Sequence, residues 1–231
     1  MLKIVYSPSW FYPADLIIDI FSMLILALIA FLSFKYYKIR KGNKNYFWLS
    51  LSFSLLAVSF LFKLLTNFTI YRHVENTTTI GFVTITIHSF ASSNLISSIG
   101  FLGFRFLMLL GLFILYRIYQ KSSSPYDTLV IVYLIAIITY FSREEYFVFH
   151  LTSLIFLSFI TSIYYKNYKK SGNTNSQLLF YSFTLISVSQ LAFMMIESYL
   201  FFYIVGEIVQ LAGYLVLLIT LVRIIKHGKK K

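Results

Sequence analysis

The feature that most constrains this chain is a series of apolar runs, most of them near the roughly 20 residues a helix needs to cross the hydrocarbon core of a bilayer. Candidate spans lie at Ala14–Tyr37, Tyr46–Thr66, Asn94–Tyr119, Thr128–Phe141, Tyr146–Tyr165, Gln177–Leu200 and Phe202–Ile225. The fourth is the shortest. It joins the fifth through Ser142-Arg143-Glu144-Glu145, a tight polar turn suited to an antiparallel helix pair. Only 12% of the 231 residues are charged and 58% are hydrophobic, too few charges to cover a soluble surface. The expected class is therefore an all-α integral membrane protein, a seven-transmembrane helix bundle in contact with the lipid bilayer.

Charge placement sets the expected direction. The net charge of +12 would suggest a nucleic-acid partner in a soluble protein, but here the basic residues sit between apolar runs. No nucleic-acid partner is expected, and the positive-inside rule applies instead. Lys35, Lys38, Arg40, Lys41 and Lys44 follow the first span; Arg117 and Lys121 follow the third; Lys166, Lys169 and Lys170 follow the fifth. Arg223, Lys226, Lys229, Lys230 and Lys231 follow the seventh, against only Lys3, Lys63, Arg72 and Arg143 on the other side. The expectation is a multi-pass protein of the cell membrane, N-terminus outside and C-terminus cytoplasmic. Trp10, Phe11 and Tyr12 read as an interfacial anchor, and Pro13 with Asp15 suits a helix start. The first span reads as retained rather than cleaved, since its positive charges follow it. The basic tail, 226–231, reads as an anchor to anionic lipid and as a place for a signalling partner to dock.

An internal repeat is visible. Lys41-Gly42-Asn43-Lys44-Asn45 is echoed by Ser171-Gly172-Asn173-Thr174-Asn175, and in the same register Ser52–Ser59 echoes Ser182–Ser189. Leu115-Tyr116-Arg117-Ile118 resembles Leu221-Val222-Arg223-Ile224, which sets Gly100 against Gly206. Shared Leu, Ser and Phe bias mimics such matches in apolar sequence, but the Gly-Asn-x-Asn element lies in a polar loop. The expected organisation is a single transmembrane domain: a first repeat at 14–119, a linker helix at 126–142 and a second, parallel repeat at 146–226.

Between the second and third spans lies a long outer segment, 67–93. Val83–His88 alternates strictly and is rich in β-branched residues, as a strand should be, with Thr69–Val74 as its expected antiparallel partner. A short β-hairpin in this outer loop is the expectation. Asn67-Phe68-Thr69 and Asn76-Thr77-Thr78 are glycosylation sequons there.

Ionisable and amide side chains within the spans are costly and mark candidate sites. Arg105 falls near mid-membrane, while Asp19, His150, Glu197 and Glu207 fall in the outer third of their spans, with Gln190 and Gln210 somewhat deeper. Ser187, Gln190, Met194 and Glu197 share one helical face, and Glu207, Gln210 and Tyr214 share another. These faces are expected to converge on an outward-opening polar chamber, with Glu207 or Asp19 as the counter-charge of Arg105. The bland readings are a structural ion pair for Arg105, snorkelling for Asp19, Glu197 and His150, and interhelical hydrogen bonding for the glutamines. Gly100, Gly103, Gly111, Gly206 and Gly213 are expected to mark close helix contacts. Cys is absent, which excludes disulfides and thiol chemistry, and His73, His88, His150 and His227 lack metal-ligand spacing. Neither a metal site nor an enzymatic activity is expected.

Seven helices, N-out, a 3+1+3 parallel repeat and an outer hairpin after the second span together resemble the microbial rhodopsins in topology. That resemblance implies a seven-helix receptor, sensor or pump with retinal on a seventh-helix lysine. Tyr203–Ile225 contains no Lys, so no retinal Schiff base is expected and no cofactor is assigned. The sugar transporters called SWEETs share the 3+1+3 plan, but Pro8, Pro13 and Pro125 all lie outside the spans, without the Pro-Gln helix break of that family. The leading expectation is a rhodopsin-like receptor or sensor module without retinal, binding a small ligand in the polar chamber. The alternatives are a small-solute or proton-coupled transporter and a structural membrane protein.

Overall fold

A computed structural model describes residues 7–39, 43–74, 77–80, 83–86, 90–120, 125–142 and 145–228, and of these the backbone alone at 9, 68–97, 125 and 226–228. A 3-10 turn at Ser9–Phe11 leads into α1 (Tyr12–Ile39), followed by α2 (Lys44–Val74), β1 (Thr77–Ile80), β2 (Val83–Thr86) and α3 (Phe90–Arg117). Then come α4 (Pro125–Phe141), α5 (Tyr146–Ser171), α6 (Thr174–Met194) and α7 (Phe201–Gly228). Six of these helices are long and apolar enough to cross a membrane. The 17-residue α4 is apolar but shorter, about 25 Å at 1.5 Å per residue. The chain is a multi-pass helical membrane protein.

α1 shows why lipid is the solvent. Its buried face carries Asp15, Asp19, Ser22, Leu26, Ile29, Ser33 and Tyr36, spaced three or four residues apart. Its exposed face carries Ile17, Phe21, Leu24, Leu28 and Phe31. The outside is more apolar than the inside, the reverse of a helix that packs a water-soluble core and the arrangement expected against hydrocarbon.

Two helix starts are built alike. The Asn43 side chain accepts from the Asn45 amide at 3.1 Å, and the Asn173 side chain accepts from the Asn175 amide at 3.0 Å. Each satisfies an amide that the first turn leaves without a partner. Gly172 closes α5 in the left-handed region, φ 61°, with its amide donating to the Tyr168 carbonyl at 2.8 Å. That conformation is cheap only for glycine.

α2 packs closely against both α1 and α3, and α6 against both α5 and α7; the two groups meet along a thinner seam where α1 faces α7 and α3 faces α5. α4 packs against α3 and α5. The expected glycine contacts form. A Cβ on Gly111 would come within 2.9 Å of Leu56 Cγ and 3.1 Å of the Ser52 carbonyl, and one on Gly213 within 2.6 Å of Ile186 Cγ1 and 3.2 Å of the Ser182 carbonyl. Gly100, Gly103 and Gly206 press equally closely on Thr66, Phe62 and Phe193. Ser59 and Ser189 are both fully buried, and each donates to the carbonyl three residues earlier at 2.7 Å.

Two details differ from expectation. α2 continues through Val74, so Thr69–Val74 is helical and not a strand, and the connection to α3 is correspondingly shorter than 67–93. Extending a formed helix adds a hydrogen bond per residue, which outweighs local strand preference. β2 pairs instead with β1, antiparallel, Thr77 opposite Thr86 and Ile80 opposite Val83. At the other connection α6 ends at Met194, and turns lead to α7 at Phe201, so Glu197 lies beyond the helix whose face it was expected to share.

Candidate functional site

The seam holds a polar chamber at one end of the bundle. Its walls come from both three-helix groups: Asp15 of α1, Lys63 and Asn67 of α2 and Arg105 of α3 on one side; Tyr146 and His150 of α5, Gln190 of α6, and Tyr203, Glu207 and Gln210 of α7 on the other. Most of these residues lie in the half of the bundle that carries the α2–α3 and α6–α7 connections, with Arg105 nearer the middle of its helix. Phe60, Phe104, Phe149 and Tyr214 form an aromatic floor to the chamber, with ring centroids 5.6–6.1 Å apart, edge-to-face at Phe60 and tilted between Phe104 and Phe149. Towards the other end, the Tyr119 and Tyr164 hydroxyls hydrogen-bond across the seam.

The charge centre of the chamber is Lys63. Its Nζ lies 2.6 Å from Asp19 Oδ1 and 2.6 Å from Glu207 Oε1, with Asp19 fully buried and Glu207 2% exposed. Asn67, one turn further along α2, donates to the other Asp19 oxygen at 3.1 Å. Asp15, one turn before Asp19, receives the Tyr203 hydroxyl at 2.9 Å from both its oxygens. Asp15, Asp19 and Glu207 each place an oxygen within 4.8 Å of one another, and the Lys63 ammonium supplies a positive charge among them. One lysine thus ties α1 and α2 of one group to α7 of the other.

Arg105 takes neither of its expected partners; one oxygen of each lies against Lys63 instead. The Arg105 guanidinium donates to the Ser142 carbonyl and lies 3.8 Å from the Phe101 ring centre, 5.2 Å from that of Tyr146 and 5.1 Å from that of Phe149. His150 and Gln190 are joined, Nδ1 to Oε1, at 2.8 Å, and Gln190 also reaches Ser189 Oγ at 3.3 Å. Gln210 donates to the Tyr214 hydroxyl at 3.1 Å. Tyr214 belongs to the aromatic floor. Glu197 is exposed and does not line the chamber, so it leaves the set; the remaining candidates do cluster.

Sequence reasoning missed Lys63, Asp15, Asn67, Tyr203 and Tyr146. Two signals were present. Lys63 is an ionisable residue inside an apolar run, and Asp15 with Asp19, like Lys63 with Asn67, has the one-turn spacing that puts both on one helical face.

The cavity measures about 80 Å³. Ligand pockets for drug-sized molecules are on the order of 300–1,000 Å³, so the room suits a few waters or a very small solute. The lysine within the chamber lies on α2, with two carboxylates against its ammonium. Three buried polar atoms on the wall lack a partner among the described residues: Ser7 Oγ, His150 Nε2 and Glu207 Oε2. Buried polar atoms are nearly always hydrogen-bonded, so a polar guest is what these walls suit. Compared with protein-family models, with curated proteins and with solved structures, the chain gives no match.

Proposed function

We propose that the protein is a receptor or sensor module of the cell membrane, seven-helical and N-out, that binds a small polar solute in the chamber and responds by moving its two three-helix units. The observation that carries this reading is the Lys63 bridge. Within the first unit Lys63 holds Asp19; across the seam it holds Glu207. A solute seated in the chamber places charge or hydrogen-bonding groups beside Glu207, whose Oε2 lacks a partner among the described residues, and so alters the Lys63–Glu207 contact while Asp19 keeps the lysine in place. Such a ligand binds the bridged and unbridged arrangements unequally, which is the requirement for shifting a population.

The duplication reading gains support from paired contacts. Asn43 and Asn173 cap in the same way, Ser59 and Ser189 bond in the same way, and Gly111 meets Ser52 and Leu56 as Gly213 meets Ser182 and Ile186. The glycine contacts shift the α3–α7 register by one helical turn from the sequence alignment and set Arg105 against Glu207 rather than Leu211. The plan remains similar to that of microbial rhodopsins without their retinal site. A carrier is the second reading, favoured by the position of the chamber on the seam, where rocking of the units would expose it alternately to either side.

Spin labels at Asn45→Cys and Thr174→Cys, introduced into this cysteine-free chain, report on the seam. A receptor should show a ligand-dependent change in their distance distribution without solute flux in proteoliposomes. Counterflow of the bound solute would establish the carrier instead, and an unchanged distance with no flux would discard both.

A further inference from the structure

The carboxylates of the chamber are turned towards Lys63 or Tyr203, and Arg105 shares none of them. Among the described residues no carboxylate lies within ion-pair distance of its guanidinium. The side chain is nonetheless 1% exposed and lines the cavity. Its hydrogen bond goes to one carbonyl, that of Ser142, whereas a guanidinium carries five donors in a planar fork. The Phe101, Tyr146 and Phe149 rings offer their faces to the cation, which offsets part of the lost hydration but accepts no in-plane hydrogen bond. A buried charge without a counter-charge is strongly disfavoured. The wall beside it adds His150 Nε2, which lacks a partner among the described residues.

We infer that Arg105 anchors the carboxylate of a small organic acid in the chamber. This deepens the small-solute reading above and rests on it. The planar fork matches a carboxylate through two parallel hydrogen bonds, a match that a lysine ammonium cannot reproduce. The guest is small: the cavity, at about 80 Å³, lies well below the roughly 300–1,000 Å³ of pockets for drug-sized molecules, which makes acetate and glycine the natural probes. Tyr146 and His150 line the same space and offer further polar contacts to the bound carboxylate. A glycine-like guest would also present an ammonium to Glu207 Oε2.

The test is equilibrium binding of radiolabelled acetate and glycine to the full chain in phosphatidylcholine nanodiscs, at constant ionic strength. Saturable binding of at least one is expected, displaced by the other acid but not by acetamide, which has the same shape without the charge. Competition should fall steadily from acetate to propionate to butyrate. Arg105→Gln and Arg105→Lys should each weaken binding by about tenfold or more, whereas Ser33→Ala, remote from the chamber, should not. The acetamide and chain-length arms need no variant, so they decide the matter even if the arginine variants do not fold. Glycine outcompeting acetate identifies an amino acid as the natural guest; equal competition identifies a simple monocarboxylate. If acetamide competes as well as acetate, or both arginine variants bind normally, Arg105 is not the anchor. Binding of methylammonium but no acid overturns this inference and leaves the small-solute reading standing, and binding of no probe overturns both.

Discussion

Lys63 and Glu207 face each other across the seam at 2.6 Å, one from the second helix and one from the last. Asp19 completes the bridge at the same distance from the other side of the ammonium. The contact closest to the proposed signalling event is therefore also one of the bonds that hold the bundle together.

Removing the cation should show this directly. Lys63→Met leaves two buried carboxylates without their counter-charge, and breaking a buried pair in this way costs about 3–5 kcal/mol. A clear drop in unfolding temperature in detergent is expected. The triple variant Asp19→Asn, Lys63→Met, Glu207→Gln should recover most of it. A single variant as stable as the parent would mean that the bridge contributes nothing to folding.

The helix crossing at Gly213 should tolerate no bulk. A Cβ there lies 2.6 Å from Ile186 Cγ1, and the helix backbone at Ser182 blocks retreat. Gly213→Leu should destabilise by about 1–3 kcal/mol through overpacking, with Gly213→Ala milder. Parental unfolding temperatures for both would show that α6 and α7 can separate freely.

His150 and Gln190 form a buried pair that can be dissected. Gln190→Leu leaves His150 Nδ1 as well as Nε2 without a partner, and an unsatisfied buried polar atom costs about 1–3 kcal/mol. Adding His150→Phe should return stability towards the parent, because both polar partners are then gone. If the double variant is worse than Gln190→Leu alone, the histidine makes a contact beyond this pair.

Orientation is open to chemical labelling, since the chain has no cysteine of its own. Thr78→Cys, in the β1 segment, should react with an impermeant maleimide on intact cells. Ser171→Cys, in the last turn of α5, should react only after permeabilisation. The reverse pattern would invert the proposed topology.

The asparagine caps give a measure of how alike the two units are. Asn43→Ala and Asn173→Ala should each cost about 1 kcal/mol, and by similar amounts, because each accepts from the amide two residues on. A loss at only one of them would weaken the parallel between α2 and α6.

What the sequence determined by itself depends on local chemistry. Runs of apolar residues marked where helices cross lipid, and Gly111 and Gly213 marked close approaches. Each is a property of a residue and its near neighbours, legible without knowing which helix lies alongside. It also narrowed the polar set to residues that, Glu197 apart, do gather on the seam.

The tertiary structure alone decided who pairs with whom. Asp19, Lys63 and Glu207 are far apart in the chain, and nothing in their spacing says that one lysine lies between those two carboxylates while Arg105 is left among aromatic rings. Helical periodicity fixes the face a residue occupies but not the partner that face meets. In a bundle the choice of partner is made by packing across the seam, which sets the Lys63 ammonium, and not the Arg105 guanidinium, between the two carboxylates.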